Sequence, residues 1–593
     1  MKNSEYNSSH FDVVVCGAGL AGLAFARQLR LEQPERSIAL LDPLTPPIPD
    51  AIWKVGESTV EFGSHYLAGF LQLQDYLDKT QLKKLGLRFF FSNDGSPNNG
   101  TLASRPEFGL SDFAEFPTYQ IDRGILERDM RDMARAEGTV FLEGCQVRKV
   151  ELSDEGGAHR ITFTDTTEAA GADGALTARW VVDATGRRQL LQRQLKLKLP
   201  HEGEACSSVW FRIAGRVDVD DLVPQNNSEW HDRVPEARRY FSTNHLCGAG
   251  YWVWIIPLSS DVTSIGIVAR DDMHPFDTYN TREKAIEWLK GFEPEFGAYL
   301  DGQEMLDFKF MKEYSYSSSK VFSEDRWACV GEAAVFADPF YSPGTDLIAI
   351  ANTMTVDMIR RDFEGKHDVD RIQYYSDYLI ELNDELTRSI QHGYKYLGDE
   401  IVSVARGLWD YSAAWGHLCP LLFNRAFTDD EKQQAMQPRG VLPLFVISVF
   451  MRRLLDEWLQ HRQSNGGRLT FDFVNYLNIE WLAEHRRSNL KEQESLEALG
   501  ALYRSNMELH EELIQALFLI AVEDVHPEHL DRLKDVEWMN VQKLTLDPTK
   551  WESSGMFKPR TKPRPFRHLY KELRSWLKPR EIELQTEREA LAV

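Results

Sequence analysis

The chain of 593 residues has a mass of 68.3 kDa, which is too large for one ordinary hydrophobic core and predicts several lobes. Its composition, with 42% hydrophobic and 27% charged residues, excludes a mainly disordered or fibrous chain. A formal net charge of −23 and a pI near 5.2 argue against nucleic acid as the main partner, because phosphate binding needs clustered basic surface.

The pattern of apolar residues predicts an α/β body followed by a mostly helical region. Residues 11–42 predict a strand–turn–helix–strand unit, and alternating apolar residues predict a series of further strands at 146–152, 159–164, 178–183, 207–215, 250–258 and 263–269. Beyond Asn352 the strand signals fade, and helical spacing predicts long helices at 369–390 and 495–522.

The cellular compartment is predicted from the ends of the chain and from its cysteines. The start, MKNSEYNSSH, has no apolar stretch that resembles a signal peptide. The apolar run from Val441 to Met451 contains Pro443 and is shorter than the roughly 20 residues of a spanning helix, so a buried helix is favoured over membrane contact. Six widely spaced cysteines without a CxxC pair indicate neither a zinc site nor a disulfide framework. We expect a cytoplasmic protein.

A glycine motif lies in the first predicted turn. Gly17-x-Gly19-x-x-Gly22 follows a strand and precedes a helix: Gly17 permits the tight turn, Gly19 lets a pyrophosphate approach the backbone, and Gly22 lets helix and strand pack closely. The helix N-terminus then offers N–H groups to phosphates, and Asp42, at the end of the second strand, suits a ribose hydroxyl. The pattern predicts dinucleotide binding; a glycine turn without a ligand is the alternative.

Later segments resemble those of FAD-binding chains of the glutathione-reductase type. The run Asp183-Ala-Thr-Gly186 resembles the family's return to the nucleotide site, and Gly331-Glu332 resembles the late segment whose acid meets the flavin ribityl chain. The family usually has aspartate at the second of those positions, so Glu332 departs from it. Arg123 resembles an arginine that FAD monooxygenases place near the cofactor, although a salt bridge at a helix start is the alternative interpretation.

Four further motifs resemble those of flavin-dependent halogenases, and with the FAD motifs they cover roughly residues 11–352. They are the WxWxIP pattern at 252–257, the VGEST-type loop at 55–59, the K-x-G-x-x-F segment at 84–89, and the DPxxSxG segment at 338–344. A core-facing aromatic pair is the alternative interpretation of the two tryptophans, which alternation places on one strand face.

The resemblance implies a fold and a division of the chain. The fold class is α/β: a Rossmann FAD-binding body with an inserted β-sheet substrate region and a C-terminal helical lobe. The expected parts are an FAD-binding part, a mostly β substrate-side region, a return to the FAD-binding part, and a helical lobe with a basic tail, at 1–200, 201–320, 321–355 and 356–593.

The resemblance also implies a chemistry. Reduced FAD (FADH2), O2 and chloride or bromide would generate hypohalous acid, which a lysine guides to one carbon of an electron-rich aromatic or carrier-tethered substrate. Lys84 is the predicted catalytic lysine, with Lys83 and then Lys54 as alternatives, and a solvated or salt-bridged lysine as the interpretation without function. A separate NAD(P)H-dependent flavin reductase would deliver the reduced cofactor.

The resemblance assigns the remaining site residues by position in its motifs. The predicted cofactor-binding residues are Gly17, Gly19, Gly22, Asp42, Arg123, Gly186, Glu332 and Asp338. The predicted residues of the substrate tunnel are Trp252, Trp254 and Tyr341, and those of the halide site are Ser342, Gly344 and Thr345. No metal site is predicted.

Two departures from the family pattern affect function. Tyr341 stands where the tryptophan-specific branch has a glutamate, which favours activated or carrier-bound substrates over free tryptophan. Pro343 stands in the turn whose backbone N–H groups bind halide, and proline has no N–H. A halide-independent FAD monooxygenase or oxidoreductase is therefore the second hypothesis, and an FAD-binding assembly partner without turnover is the third.

The segment from Phe557 to Arg580 contrasts with the acidic chain, since it holds nine Lys or Arg residues and one Glu. Its prolines predict an extended first half, and the run LYKELRSWL predicts a short helix. It either packs back on the acidic body or docks an acidic partner such as an acyl carrier protein.

Overall fold

We describe a computed structural model of the chain over residues 3–49, 54–92, 101–153, 156–167, 171–436, 441–558 and 564–580. The strands, in chain order, are β1 (His10–Cys16), β2 (Ile38–Asp42), β3 (Leu82–Lys84), β4 (Leu87–Phe91), β5 (Glu107–Gly109), β6 (Thr118–Gln120), β7 (Val140–Glu143), β8 (Cys145–Glu151), β9 (His159–Asp165), β10 (Ala172–Asp183), β11 (Lys198–Pro200), β12 (Cys206–Ala214), β13 (Thr243–Gly248), β14 (Tyr251–Leu258), β15 (Val262–Arg270), β16 (Lys309–Met311), β17 (Tyr316–Ser318), β18 (Phe322–Ser323), β19 (Trp327–Cys329), β20 (Leu469–Thr470), β21 (Phe473–Asn475) and β22 (Lys578–Pro579).

The α-helices alternate with the strands in the first half and dominate the second half. In chain order they are α1 (Leu20–Glu32), α2 (Glu61–His65), α3 (Gln74–Thr80), α4 (Arg123–Ala136), α5 (Leu190–Leu195), α6 (Ser228–His231), α7 (Arg282–Phe292), α8 (Pro294–Tyr299), α9 (Gly344–Phe363), α10 (Val369–His392), α11 (Glu400–Ala413), α12 (Cys419–Phe423), α13 (Asp430–Met436), α14 (Val441–Asn465), α15 (Glu480–Asn489), α16 (Leu496–Val525) and α17 (Arg567–Ser575).

The first large sheet is the predicted Rossmann core. Its strand order is β18-β19-β10-β1-β2-β7, and β1 pairs in parallel with both β10 and β2. Because the carboxyl ends of parallel strands meet at one edge, the turns after Cys16, Asp183 and Cys329 and the end of β2 at Asp42 converge there. The residues that follow these strands are the predicted cofactor motifs.

The second large sheet has the order β16-β12-β15-β14-β13-β4-β5-β21. Alternation along β14 divides its side chains between two hydrophobic clusters: Trp252 and Trp254 face the core shared with the first sheet, whereas Val253 and Ile255 face a second core that α7 and α8 cover. The predicted placement of the two indoles on one strand face is confirmed, and their ring centroids lie 5.7 Å apart.

The C-terminal region is mostly helical, as predicted, but it also contributes strands. Strand β21 pairs in parallel with β5 and extends the second sheet, and β20 pairs with β22. The predicted helical lobe therefore also carries short strands, and two- and three-residue strands give too short an alternation to be recognised in sequence. Buried residues such as Trp458 and Phe518 belong to the same core as β1 and α1. The domain boundaries stay predictions.

The structure also describes the cysteines and the apolar run of the C-terminal region. The six cysteines are all buried and free. Within the described ranges, the structure has no helix that is both long enough and apolar enough to cross a bilayer. The predicted helix over the apolar run belongs to α14, where Ile447 and Met451 are buried while Val446 and Val449 are half exposed.

Candidate functional site

A cavity of about 600 Å³ lies at the carboxyl edge of the first sheet. It is lined by most of the predicted cofactor residues, namely Gly17, Gly19, Asp42, Arg123, Gly186, Glu332 and Asp338. The first residues of α1 also line it, so the positive end of that helix faces the cavity. The structure thus brings together residues that are up to three hundred positions apart in sequence.

The glycine turn leaves room for a ligand at one of its three glycines. A side chain at Gly17, which has φ +107°, would place its Cβ 2.4 Å from the carbonyl oxygen of Ala184. Gly22 lies outside the cavity lining, and a Cβ there would approach the carbonyl oxygen of Gly17 to 2.1 Å. A Cβ at Gly19 would meet nothing closer than Lys54 Nζ at 3.8 Å. Gly17 and Gly22 therefore permit close packing, whereas Gly19 opens into the cavity.

Asp42 ties the glycine turn to its surroundings. Its Oδ2 accepts a hydrogen bond of 2.8 Å from the Ala18 backbone, and its Oδ1 accepts one of 2.7 Å from Arg131. A carboxylate oxygen accepts more than one hydrogen bond, so these contacts leave capacity for a ribose hydroxyl. Arg131 was not identified from the sequence, because an arginine inside a helix pattern gives no signal of its partner.

A second ion-pair cluster contacts the N-terminus of α1, where the Leu20 backbone N–H donates to Glu127 Oε1 over 3.2 Å. Arg123 donates from Nε to Glu127 over 3.0 Å and from Nη1 to the Val55 carbonyl oxygen over 3.0 Å. Lys54 pairs with the same glutamate. Burial disfavours the charged form of Glu127, but Arg123 and Lys54 outweigh it and hold its pKa below the usual range. Arg123 thus lines the cavity and also forms the salt bridge of the alternative interpretation.

The two late carboxyls differ in what holds them. Asp338 is fully buried and accepts hydrogen bonds of 2.6 Å from both Tyr314 and Tyr394, so it anchors the cavity wall. Burial raises the pKa of Glu332, against the opposing effect of Arg187, and this side chain is only partly buried. Glu332 is therefore the freer of the two to meet a ligand.

The lining of the larger cavity suits FAD in its chemistry. It offers a glycine turn without a side chain at Gly19, the N-terminus of α1, and the carboxyls of Asp42 and Glu332. Trp252 and Trp254 line this cavity and not the smaller one described next, and their role in a substrate tunnel stays a prediction.

A second cavity, of about 190 Å³, lies between the α/β body and the C-terminal helices. Lys84 and Tyr341 line it, together with aromatic side chains of the C-terminal region, which are Trp409, Tyr411, Trp415 and Tyr476. Pro343 and Leu347 line both cavities, so the wall between the two includes the turn that precedes α9 and the first residues of that helix.

Lys84 is buried at this wall, whereas Lys83 is exposed. The two alternate along β3, so only Lys84 points inward. Its Nζ donates to Ser58 Oγ over 2.8 Å and to the Thr59 carbonyl oxygen over 2.7 Å. Burial lowers the pKa of Lys84 to about 7, against the opposing charges of Glu61 and Asp346. This lysine changes its charge near neutrality.

The turn before α9 carries the predicted halide residues. Ser342, Gly344 and Thr345 line the larger cavity. Leu347 donates the first intrahelical backbone hydrogen bond of α9. Its N–H bonds to the Pro343 carbonyl oxygen over 3.0 Å. The amides of Gly344 and Thr345 therefore have no intrahelical acceptor, and Pro343 offers no N–H at all.

His245 is a cavity residue that sequence analysis missed. Its Nδ1 lies 2.9 Å from the Arg88 carbonyl oxygen, which can only accept, so Nδ1 carries the proton. Burial, together with the nearby charge of Lys84, lowers the pKa of His245 to about 3. A neutral imidazole thus lines the larger cavity. A single histidine within β13 gave no pattern by which to find it.

The two-sheet fold, with a cavity at the carboxyl edge of its first sheet, is that of an FAD-dependent oxidoreductase. A family model described as tryptophan halogenase matches residues 104–386. The flavin-dependent halogenase chlA of Dictyostelium discoideum is 28% identical over 467 residues, which cover 72% of this chain and 75% of the relative. A 1H-pyrrole-2-carbonyl peptidyl-carrier-protein brominase of Pseudoalteromonas luteoviolacea is 26% identical over 349 residues, covering 56% and 79%.

Among solved structures, the crystal structure of halogenase PltM resembles this fold with a TM-score of 0.57 at 14% identity, over 86% of this chain and 95% of that one. The matched family model and these relatives support the flavin-dependent halogenase family for this chain. It is an FAD-dependent enzyme, and members of this family use reduced FAD, O2 and a halide.

Proposed function

We propose that this enzyme chlorinates or brominates an electron-rich aromatic substrate in the smaller cavity, with Lys84 as the catalytic lysine. The observation that carries the proposal is that Lys84 is buried at the wall between the two cavities and lines the one surrounded by aromatic rings. When bound, reduced FAD would supply two electrons to O2, so that O2 oxidises the halide to hypohalous acid while FAD and water form.

The residues of the chain divide the work between the two cavities. Gly19 and the N-terminus of α1 would hold the pyrophosphate, and the amides of Gly344 and Thr345 would hold the halide beside it. Lys84 would receive hypohalous acid at the wall between the cavities. Because its pKa is near 7, it is able to donate a hydrogen bond as an ammonium or to react as an amine.

The aromatic lining favours a planar substrate. Trp409, Tyr411, Trp415 and Tyr476 present ring surfaces, and Tyr341 stacks edge to face on Tyr411 with centroids 6.2 Å apart. Burial among these rings also excludes water, which would otherwise consume the electrophilic halogen. We infer that one aromatic ring, free or tethered, occupies this cavity.

The experiment that tests this function supplies reduced FAD through a separate flavin reductase, with O2, chloride or bromide, and a panel of phenols, pyrroles and indoles. We expect a product whose isotope pattern shows one added halogen. We also include carrier-bound pyrrole-2-carboxylate, because the brominase relative carries a peptidyl carrier protein in its name. Oxygenated product without halogen would support the halide-independent alternative, which the missing N–H of Pro343 favours.

A carrier protein would need a docking surface, and the basic tail is the candidate from the sequence. Most of its described basic side chains pair with the body instead: Arg564 with Glu508 at 2.6 Å, Arg574 with Glu523 at 2.6 Å, and Lys578 with Asp472 at 2.7 Å. Leu569 and Leu573 of α17 are buried. These contacts support the interpretation that the tail packs on the acidic body.

Exposed lysines of the tail separate the two interpretations better than deletion does, because deleting α17 would open the core. We expect Lys558→Glu with Lys571→Glu to leave turnover of free substrate unchanged. A selective loss of turnover with carrier-bound substrate would assign the tail to carrier docking, and equal turnover of both substrates would assign it to packing.

A further inference from the structure

The carboxyls that line the smaller cavity differ in how they are compensated. Glu385 pairs with Arg452 at 2.8 Å, Asp410 pairs with Arg406 at 3.1 Å, and Glu61 pairs with Arg486 at 3.1 Å. These three acids therefore carry a structural ion pair each. The fourth acid of this cavity, Asp346, has no ion pair among the described residues.

Asp346 lies in the first turn of α9 and lines the same cavity as Lys84. Its Oδ1 is buried without a hydrogen-bond partner among the described residues, and it lies 2.9 Å from the position that a Cβ on Gly63 would take. A buried carboxyl oxygen without a hydrogen-bond partner destabilises the folded chain, although the Gly63 backbone N–H and the charge of Lys84 stabilise the charged form of Asp346. Such a group is a candidate for contact with a ligand, since a ligand that donates a hydrogen bond would compensate it.

The surroundings of Asp346 set when it is charged. Burial raises its pKa to about 8, the Gly63 backbone N–H lowers it, Glu61 raises it, and Lys84 lowers it. The charge of Glu61 is itself offset by Arg486 behind it. The remaining titratable neighbours stay neutral, because burial raises the pKa of the Cys419 thiol and of the Tyr341 phenol.

We propose that Asp346 is a second catalytic residue of the smaller cavity, which accepts the hydrogen bond and then the proton of a hydroxyl or N–H donor on the aromatic substrate. This inference rests on the proposed function, because it assigns Lys84 and Asp346 to two atoms of one substrate ring. It restricts the substrate class to aromatics that carry a donor close to the halogenated carbon.

The proton transfers balance over one turnover of a phenol. The substrate O–H bond breaks and its proton passes to Asp346, while a ring carbon bonds to the halogen of hypohalous acid. The halogen–oxygen bond breaks, and the oxygen leaves as water after taking a proton from the Lys84 ammonium. The ring carbon then loses its own proton to Lys84, and Asp346 returns its proton to the substrate oxygen. The sum converts one C–H bond and hypohalous acid to a C–X bond and water.

Binding tests this inference without requiring halogenation. The flavin-loaded protein is titrated with resorcinol and with 1,3-dimethoxybenzene, which lacks the donor, and the fluorescence of Trp409 and Trp415 in the cavity wall reports occupancy. We expect Asp346→Asn to weaken resorcinol binding at pH 8.5 by about 10- to 150-fold, the effect of one hydrogen bond to a charged group. Binding of 1,3-dimethoxybenzene is expected to stay within about twofold.

The pH dependence gives a second, independent readout. Resorcinol affinity of the unchanged protein is expected to rise from pH 6.5 to pH 8.5 as Asp346 loses its proton, and to be flat in Asp346→Asn. The matched control is Asp377→Asn, which removes an exposed carboxyl of α10, and this variant is expected to behave as the unchanged protein. Asp346→Glu is expected to restore part of the affinity.

Three outcomes would overturn the inference: equal weakening of both ligands in Asp346→Asn, no weakening of either, or a flat affinity of the unchanged protein across this pH range. The last measurement needs no variant, so it decides even if Asp346→Asn does not fold. Failure of the proposed function is a separate result, namely resorcinol binding as expected but no halogenated product with bromide, O2 and a flavin reductase.

Discussion

Lys84 donates a hydrogen bond from Nζ to Ser58 Oγ over 2.8 Å, and the two residues line different cavities. Ser58 Oγ is in turn 2.9 Å from Thr243 Oγ1, and Thr243 Oγ1 donates a hydrogen bond of 3.0 Å to Gln120 Oε1. Hydrogen bonds therefore connect Lys84, which lines the smaller cavity, with Ser58 and Thr243, which line the larger one.

We expect Ser58→Ala to reduce halogenated product while flavin oxidation continues, because the Lys84 ammonium loses one of its two acceptors. Loss of a hydrogen bond to a charged group costs about 1.5–3 kcal/mol, so the pKa of Lys84 should fall by about 1 unit or more. The ratio of product formed to flavin oxidised, measured from pH 6 to pH 9, checks this. Ser58→Thr keeps the hydroxyl and is the control; an unchanged ratio in Ser58→Ala would remove Ser58 from the mechanism.

Lys84→Ala is expected to oxidise the reduced flavin normally but to lose at least about 100-fold in halogenated product, a difference of about 2.7 kcal/mol in the barrier. In the proposed function, the lysine lines the substrate cavity and acts after the oxidant has formed. Lys83→Ala removes the neighbouring exposed lysine and is expected to keep most activity. If the two variants exchanged their behaviour, the assignment would be off by one residue, and if both stayed active the lysine mechanism would fail.

Gly19→Val is expected to abolish FAD binding without unfolding the protein. The space beyond its backbone is open toward the cavity, so valine fits the apo fold but occupies the path of the pyrophosphate. Titration of FAD, followed by flavin fluorescence, measures the loss. Gly291→Val, on α7, where an added Cβ would have no neighbour within 4 Å, is the matched control. Unchanged FAD affinity in a folded Gly19→Val protein would contradict the cofactor assignment.

Local patterns predicted the parts of the fold that obey short-range rules. The strand–glycine turn–helix unit at the start and the alternation of β14 follow from spacing alone, and the structure has both. The strands β20 and β21 escaped prediction because their pairing depends on partners hundreds of residues away. The C-terminal side of the smaller cavity likewise had no local pattern.

Site residues that belong to a sequence motif could be predicted, whereas site residues that are recognised only by their contacts in the fold could not. Lys84 was found because Gly86 and Phe89 follow it at a family spacing. Asp346 and His245 were missed, since an acid in a helix start and a histidine in a strand are ordinary at those positions. Burial and neighbours from other parts of the fold shift the pKa values of these two residues, and the local sequence predicts neither the burial nor the neighbours.

A buried histidine cluster in the C-terminal region gives an acid-sensitivity prediction. His510 lies 3.1 Å from Ser412 Oγ and 3.4 Å from His417, and His485 bonds to the Ser412 carbonyl oxygen at 2.8 Å. Burial lowers the pKa of His485 to about 4 and that of His510 to about 3. In the unfolded chain each would bind a proton near pH 6.5. Stability should therefore fall from about pH 6.5 downward, by up to about 1.4 kcal/mol per pH unit for each histidine.

The measurement is the Tm of the protein at pH 7.5 and pH 5. We expect His510→Gln to lower the Tm at pH 7.5 but to reduce the difference between the two pH values, because one proton-excluding group has been removed. His568→Gln, which changes an exposed histidine of α17, is the control and should keep the full difference. An equal pH dependence in all three proteins would show that other groups govern acid unfolding.

The halide prediction concerns Pro343, which precedes α9 with φ −76° and ψ −2°. These angles are accessible to any residue, so Pro343→Ser is expected to keep the turn while adding a backbone N–H beside those of Gly344 and Thr345. One further hydrogen bond to an anion contributes roughly 1.5–3 kcal/mol, which predicts an apparent halide KM about 10- to 150-fold lower.

Pro343→Ala adds the N–H without a hydroxyl and separates the two donors. Loss of the fixed proline φ opposes the gain by up to about 1 kcal/mol of stability, which a Tm measurement detects. The measurement is product formation as a function of chloride and bromide concentration. Tight halide saturation in the unchanged protein, with no improvement in either variant, would show that the halide site does not use this N–H. Oxygenated product at every halide concentration would favour the halide-independent oxidoreductase.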